Sequence, residues 1–430
     1  LTDCLLGFRY WIDEPGNDAM WFWSENHALM FHTCQLLAGE LFPDEVFTNS
    51  GLTGRQMQAK AKNMLYDWFV TFRKEGFTEW NSSPYLPIDT LGFGSLYAFA
   101  QDPAMRELGR EGMDFAYYLL AVHSQQGIFA SSSGRTYIKE QFGNWSNCPS
   151  GLSWIGYGYG VPGHAGKGIT SYCLSDYEPP KEFAQWFSIP RGKEMICQTT
   201  QGNDGYVDLY TYKTADYMMT SANDFHPGEP GHQENPFQLT FNAVAQLWVT
   251  HPGERVLFGA ARPSYWAGNG TLPKVNQYKA FAGMIYDIAP EHPVDFTHLY
   301  LPSMEFDRCE VEGKWAFVQL GSAYAAVYCS NGMRMQDFGS NKDRECIAEG
   351  RRCIWLVRAA QADEFAAFED FKAAMRGAAL DADAEGRCYR FVDPVYGELR
   401  CQWGETLYVN DAPMQYSGFD NYGKLTMQEK

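Results

Sequence analysis

The length, composition and charge of the chain exclude several classes of protein. With 430 residues, the chain exceeds the size at which one hydrophobic core usually keeps growing, so two structural domains are expected. The formal net charge of −18 argues against a nucleic-acid partner, because phosphates require a basic surface, although a local basic cleft is still compatible with it. The sequence contains no apolar run long enough to span a membrane.

The cysteines and the first residues bear on where the protein resides. Eleven cysteines occur without a CxxC pair or zinc-finger spacing, which is more typical of buried thiols in a reducing compartment than of a disulfide framework. We therefore expect a cytoplasmic protein. Leu1 is not an initiator methionine, and Leu1, Leu5, Phe8 and Ile12 already fall at helical spacing, so we expect the natural chain to begin upstream.

The first part of the chain, to about residue 126, is predicted to be helical. Ser24 is the predicted N-cap of a helix that ends near Gly39. Further helices with apolar residues at helical spacing are predicted at 55–74, from near Thr90 onwards, and at 103–124. Paired antiparallel helices suit an (α/α) toroid, and because this segment is too short to close one, missing helices are expected upstream.

The second part of the chain is predicted to be a sheet structure. After a Gly- and Ser-rich passage at 127–168, the hydrophobic period changes to that of strands. The β-branched or aromatic runs are 206–213, 216–222, 239–250, 277–288, 296–301, 315–320, 323–329 and 353–359, followed by a helix at 362–380 and short strands near Tyr389 and Leu399. Since crossover helices are missing between the runs, the strands are expected to be antiparallel.

The predicted fold class is therefore α+β and multidomain. Residues 1–150 are expected to form a partial (α/α) toroid, and residues 151–430 a large antiparallel β-sandwich. The pattern indicates no tandem repeat or low-complexity tract.

Three stretches combine polar and aromatic residues at element boundaries, where functional sites are often built. They span 21–27, 79–85 and 225–235. Together they resemble the heparinase II/III-like and oligoalginate-lyase-like polysaccharide lyases over roughly residues 20 to 300. In those enzymes an Asn-His pair on a toroid helix, a Tyr on a later toroid loop and a His from the sandwich converge on one uronate residue.

The resemblance assigns catalytic roles to four residues of this chain, namely Asn26, His27, Tyr85 and His232. It implies β-elimination of uronic-acid-containing glycans, in which Asn26 and His27 donate hydrogen bonds to the uronate carboxylate and favour the enolate. Tyr85 would then act as base, acid or both, supported by His232.

The sandwich motif departs from that of the family. His232 is followed by Gln233, Glu234 and Asn235 rather than by a small, acidic and apolar stretch, so the register is open by several residues. His226 is the alternative to His232, and Asn235 could occupy the position of the catalytic His.

Other residues are predicted to contact substrate. Aromatic faces stack on sugars, although most of the 16% aromatic residues are expected to fill the core. Arg135 can grip a carboxylate bidentately, and Trp266 adds stacking surface beside turn residues. The predicted substrate-binding set is Glu25, Trp80, Asn81, Arg135, His226 and Trp266.

Other functions and ligands stay open at this point. No cofactor is required by the predicted chemistry, but related lyases imply a possible structural zinc, for which His232, Glu234 and His251 offer donors. A glycoside hydrolase would use Glu25 or Glu79 together with Asp89. A glycan-binding protein that lost its chemistry is the third alternative. The identity of the uronate, its linkage and the oligomeric state are not specified by the sequence.

Overall fold

A computed structural model of the chain describes residues 1–141, 147–162, 167–202 and 205–430. The helices are α1 Thr2–Gly7, α2 Glu25–Leu41, α3 Gly54–Glu75, α4 Leu86–Phe99, α5 Pro103–Val122, α6 Ile138–Gln141, α7 Cys148–Tyr157, α8 Ile169–Cys173, α9 Ala184–Phe187 and α10 Phe368–Gly377. None of the helices in these ranges is both long and apolar enough to cross a membrane.

The helices of the first part form hairpins, as predicted. Helix α2 packs on α3, α4 packs on α5, and α2 also contacts α4. Ser24 is the N-cap of α2, and Thr53 begins α3 with a capping box that includes Gln56. Helix α4 begins at Leu86, four residues before the expected start near Thr90, because the Pro87 ring fits the first turn of a helix.

The strands of the larger sheet are β1 Lys193–Gln201, β2 Val207–Lys213, β3 Met218–Asn223, β4 Phe237–Thr240, β5 Gln246–Thr250, β8 Phe296–Tyr300, β12 Arg334–Met335, β13 Glu345–Glu349 and β20 Lys424–Glu429. The facing sheet contains β6 Lys274–Tyr278, β7 Phe281–Asp287, β9 Arg308–Glu312, β10 Trp315–Leu320, β11 Ala323–Cys329 and β14 Arg352–Gln361. A third sheet contains β15 Leu380–Asp383, β16 Cys388–Asp393, β17 Gly397–Gln402, β18 Tyr408–Val409 and β19 Ala412–Pro413.

The sheets are antiparallel and confirm the predicted α+β class. The nine-stranded sheet has the order β12-β13-β8-β5-β4-β3-β2-β1-β20, and the six-stranded sheet has the order β6-β7-β14-β11-β10-β9. Their inner faces share one hydrophobic core, which makes them a sandwich. The third sheet follows the order β15-β16-β17-β18-β19 and was not predicted as a separate sheet.

Two predicted strands are hairpins in the structure. The run 239–250 is divided between β4 and β5, and the run 277–288 is divided between β6 and β7. Lys279 takes a positive φ of 48° in the second turn, a conformation that its residue type does not signal. The change from helix to strand lies between Phe187 and Lys193, later than the predicted boundary at residue 150.

The side chains of strand β2 face the sandwich core and the helices in alternation, so this strand contacts both. Tyr210 and Tyr212 point into the sandwich core. The intervening side chains face the helices: Thr211 Oγ1 lies 2.9 Å from His123 Nδ1, and Lys213 Nζ donates to the carbonyl of Ala121 at 2.9 Å. The helices are therefore held firmly against the outer face of the larger sheet.

The packing of α4 on α5 depends on glycine. A Cβ atom at Gly112 would overlap the ring of Phe93, whereas a Cβ atom at Gly377, the last residue of α10, would meet no atom within 4 Å. We expect Gly112→Ala to lower the free energy of unfolding by about 1–3 kcal/mol through overpacking. Gly377→Ala should leave it unchanged or raise it by up to about 1 kcal/mol. Chemical denaturation followed by tryptophan fluorescence measures both, and equal effects of the two substitutions would contradict this packing.

Candidate functional site

The loop before α4 is fixed against the loop at 131–137 by backbone hydrogen bonds. Gly134 N donates to the carbonyl of Trp80 at 2.8 Å, and Ser82 Oγ donates to the carbonyl of Arg135 at 3.0 Å. A Cβ atom at Gly134 would lie 2.5 Å from Trp80 Nε1, so this close approach requires glycine. The contact places Tyr85, the N-cap residue of α4, beside Arg135.

The same loop is also fixed to the sandwich. Ser133 and Asn235 exchange two backbone hydrogen bonds of 2.9 and 2.7 Å, and Thr136 N donates to the carbonyl of Gln233 at 3.0 Å. Gln233 Nε2 returns a bond of 2.7 Å to the carbonyl of Thr136. The segment that carries His232 therefore lies next to the loop that carries Arg135.

Four side chains form what we call the arginine–tyrosine cluster, namely Tyr85, Arg135, Tyr137 and Arg262. The hydroxyl oxygens of Tyr85 and Tyr137 are 2.9 Å apart. The Arg135 guanidinium lies over both rings, 5.5 Å from the centroid of Tyr85 and 5.8 Å from that of Tyr137. Arg262 lies over Tyr137 alone, at 5.4 Å. Both tyrosines are partly exposed, so a ligand can reach the hydroxyl pair.

The acidity of the two phenols differs. Burial and the hydrogen bond with Tyr137 raise the pKa of Tyr85. Burial also raises the pKa of Tyr137, but the hydrogen bond from Tyr85 and the cations Arg135 and Arg262 outweigh it, so the net change in this pKa is downward. Burial and the nearby Arg135 lower the pKa of His232, which favours its neutral form.

Three acidic side chains lie beside this cluster and are called the carboxylate cluster here: Glu25, Glu79 and Asp89. Glu25 Oε1 accepts from Thr78 N at 2.9 Å; burial and the neighbouring Glu79 raise its pKa to about 7. Asp89 is buried and its Oδ1 has no hydrogen-bond partner. Burial, then Glu25 and Glu79, raise the pKa of Asp89 well above its ordinary value.

Glu79 connects the two clusters. Its Oε1 lies 3.6 Å from Arg135 Nε, which is an ionic contact without a hydrogen bond at that nitrogen. Burial raises the pKa of Glu79, and Arg135 opposes that change.

Two pockets flank the connected clusters. One, of about 350 Å³, is bounded by Trp23, Trp68 and Phe72 and reaches Glu25 and Glu79. The other, of about 290 Å³, is bounded by residues that include Tyr137 and Arg262. A larger pocket of about 850 Å³ lies elsewhere on the sandwich, but its Arg352 is already paired with Asp287 at 3.0 Å and with Glu385 at 2.5 Å. Of these pockets, the second is lined by a member of the tyrosine pair, Tyr137, and the first reaches the arginine–tyrosine cluster only through Glu79.

Asn26 and His27 lie in the first turn of α2. The hydroxyl of Ser24 is 3.0 Å from Asn26 Oδ1 and 2.6 Å from His27 Nδ1, and the His27 ring stacks on Phe31. Asn26 is buried and His27 is partly exposed. Glu25, which precedes them in this turn, belongs to the carboxylate cluster. That cluster contacts the arginine–tyrosine cluster through Glu79 and Arg135.

Several predicted contact residues are packed inside the protein. Trp80 and Trp266 are each 1% exposed; Trp80 packs on Phe225, and Trp266 stacks on His298. Their burial argues against the predicted contacts with sugar. Asn81 is buried with a φ of 48° and donates to the carbonyl of Ser132 at 3.3 Å, which indicates a role in shaping the loop.

The two alternatives to His232 also have other surroundings. His226 is exposed, and its Nδ1 lies 3.3 Å from Glu229 Oε2. Asn235 is buried, and its Nδ2 donates to Gln238 Oε1 at 2.9 Å. His232, which is exposed and interacts electrostatically with Arg135, is the better placed of the three.

The residues named for a possible zinc ion have other partners. Glu234 Oε2 accepts from the backbone of His232 at 2.5 Å, and His251 Nε2 lies 3.1 Å from the carbonyl of Val294. Across the described ranges no group of three His, Cys, Asp or Glu side chains is positioned to hold a metal ion. The zinc ion stays a prediction without a ligand set in those ranges.

Sequence reasoning missed two members of the arginine–tyrosine cluster. Tyr137 lies two residues after Arg135 in a loop that the sequence singled out, so its proximity to the cation was a usable signal. Arg262 follows the apolar, Gly- and Ala-containing stretch 256–261, and its residue type and spacing gave no indication of a site.

Comparisons with known proteins give only a distant likeness. No protein-family model and no curated protein matches the sequence. The solved structure of a heparinase III gene product is similar with a TM-score of 0.36 and 10% sequence identity, over 94% of this chain. The chain spans 66% of the length of that structure. At this level of similarity, function has to be argued from the site itself.

The burial of Asp89 predicts a pH-dependent gain in stability from a neutral replacement. Burial raises the folded-state pKa of Asp89 above the ordinary value of 3.8. The protonated acid therefore contributes to the stability of the fold below pH 3.8, and this contribution is lost as the pH rises through the folded-state pKa. Asp89→Asn should therefore raise the melting temperature by a few degrees near neutral pH and change it little near pH 4.

Thermal unfolding of both proteins across that pH range measures the effect. Asp67→Asn, on the exposed side of α3, is the matched control and should show no such trend. An equal shift of Asp89→Asn at every pH would contradict the burial of a charge.

Proposed function

We propose that this protein is a polysaccharide or oligosaccharide lyase that cleaves uronic-acid-containing glycans by β-elimination. The arginine–tyrosine cluster is the observation that supports this proposal most strongly. It combines two cations with a hydrogen-bonded pair of phenols, and Tyr137 and Arg262 line a pocket of about 290 Å³.

The cations suit the carboxylate of a uronate. The Arg135 side chain is 20% exposed, and besides Glu79 it interacts with Tyr85 and Tyr137, so a carboxylate bound to it would lie beside the tyrosine pair. A bound carboxylate whose charge is neutralised makes the proton at C5 more acidic, because the enolate that develops is stabilised by the same donors. Arg262 adds a second cation, 5.4 Å from the centroid of Tyr137.

The phenols suit the proton transfers. Elimination needs a base for the C5 proton and an acid for the departing glycosidic oxygen. In this proposal Tyr85 takes part in those transfers, and His232 supports the site in its neutral form. Asn26 and His27 would assist carboxylate binding from α2, as the resemblance to the lyases implies.

A glycoside hydrolase is the second candidate, and the carboxylate cluster favours it. Hydrolysis requires one protonated and one ionised carboxyl group. Glu25, with a pKa of about 7, could supply the acid, and Glu79, beside Arg135, could supply the ionised group. A non-catalytic glycan-binding protein would use the same surface without turnover.

The remaining properties belong to the proposal as well. The partner would be a uronate-containing oligosaccharide or polysaccharide, and a cytoplasmic location would favour short oligosaccharides. The proposed proton transfers use side chains of the chain itself, and a zinc ion would have a structural role only.

The test of function is a substrate screen followed by substitution of Tyr85. Oligomers of alginate, glucuronan, hyaluronan, chondroitin and heparin are assayed by ultraviolet absorbance, which detects the unsaturated uronate, and by reducing ends. On a substrate identified in this way, Tyr85→Phe should lower kcat by ~10²- to 10⁴-fold, because it removes a proton-transfer group and keeps the ring. Near-wild-type rates for Tyr85→Phe together with inactive Glu25→Gln and Glu79→Gln would instead support the hydrolase.

The role of Arg135 in binding predicts a different kinetic change. Arg135→Ala should raise KM by about 10- to 100-fold and reduce kcat less, because a positioning cation contributes mainly binding that is shared by the ground and transition states. Arg255→Ala is the control, since Arg255 lies over Phe296 and pairs with Asp295 outside the two clusters. An unchanged KM for Arg135→Ala would remove this residue from the site.

A further inference from the structure

Tyr137 has no role in the resemblance that assigned Tyr85, yet the structure places their hydroxyl oxygens 2.9 Å apart. We infer that the two tyrosines form a proton relay, in which Tyr137 removes the C5 proton and Tyr85 protonates the departing glycosidic oxygen. The inference rests on the proposed β-elimination and adds a second catalytic tyrosine to it.

The cations around the pair decide which tyrosine is the base. Arg135 lies over both rings, but Arg262 lies over Tyr137 only. A phenolate at Tyr137 would therefore face two guanidinium groups, whereas one at Tyr85 would face a single guanidinium group in a more buried position. Coulombic stabilisation thus favours the anion at Tyr137.

The hydrogen bond between the tyrosines acts in the same direction. With Tyr85 as the donor, its O–H stabilises the phenolate of Tyr137, and such charge-assisted bonds are stronger than neutral ones. The opposite pKa changes of the two phenols, upward for Tyr85 and downward for Tyr137, agree with this arrangement.

Other charged groups around the pair fit the same assignment. Glu79 contacts Arg135 at 3.6 Å, and His232 interacts with Arg135, Arg262 and Glu234. Lys139 lines the same pocket as Tyr137 and adds positive charge there.

The reaction balances within the pair. The C5–H bond breaks, its proton joins the Tyr137 phenolate, and its electron pair is held as the enolate of the uronate carboxylate. This pair forms the C4–C5 double bond as the bond between C4 and the glycosidic oxygen breaks, and the departing oxygen takes the proton of Tyr85. Tyr137 finally returns its new proton to the Tyr85 phenolate across the 2.9 Å hydrogen bond, which restores both groups without solvent.

A titration without substrate tests the relay independently of the reaction. Tyrosinate absorbance of the folded wild-type protein should show a step below the ordinary tyrosine pKa, and Tyr137→Phe should abolish that step. Arg262→Gln should move the step to higher pH. Tyr408→Phe and Arg400→Gln are matched controls, because Arg400 lies 4.2 Å from the Tyr408 centroid in the third sheet, and both should leave the step in place.

A second test measures the kinetics of the variants on a substrate that the wild type converts to unsaturated product. Tyr137→Phe should lower kcat by ~10²- to 10⁴-fold, and Arg262→Gln should shift the rising limb of the pH–rate profile to higher pH. A step that persists in Tyr137→Phe, or near-wild-type kcat for that variant, would overturn the relay while the lyase function stands. A wild type that shows the step but forms no unsaturated product would contradict the lyase function instead.

Discussion

The contact between Glu79 and Arg135 is the interaction on which the site depends. It joins the carboxylate cluster to the arginine–tyrosine cluster, in which the Arg135 guanidinium lies over both Tyr85 and Tyr137. Both partners are only partly exposed, so the loss of either one would leave a partly desolvated charge, which is unfavourable. The two loops that carry this pair are held by backbone hydrogen bonds, so the contact is part of a rigid junction between the helices and the sandwich.

This arrangement explains how a protein of net charge −18 can offer a surface for an acidic glycan. The field at a site depends on the charges that line it more than on the total. Here the acidic side chains are drawn to one side, toward Glu25 and Asp89, while Arg135 and Arg262 face the tyrosine pair. The two pockets therefore differ in charge: the one beside Glu25 and Glu79 is acidic, whereas the one beside Tyr137 is lined by Lys139 and Arg262.

Sequence periodicity predicted the fold well where elements are long and regular. The Ser24 cap, the helices α3 and α5 and the antiparallel sandwich follow from local patterns. Two apolar runs that were predicted as single strands form hairpins. One of the turns uses Lys279 at a positive φ, a conformation that lysine does not signal in a sequence. For the site, sequence could name Tyr85 and Arg135 separately, but the presence of Arg262 over Tyr137 depends on long-range packing, and the burial of Trp266 depends on neighbours distant in the chain.

The central claim is that the bond is cleaved by elimination at the tyrosine pair, and isotopic labelling during turnover tests it most directly. A uronate oligosaccharide that the protein cleaves is incubated in water enriched in heavy oxygen, and the products are weighed by mass spectrometry. Elimination adds no water, so the product masses should sum to that of the substrate, with no heavy oxygen incorporated by cleavage and a double bond in one fragment. One heavy oxygen in the new reducing end, with both sugars saturated, would show hydrolysis and contradict the account.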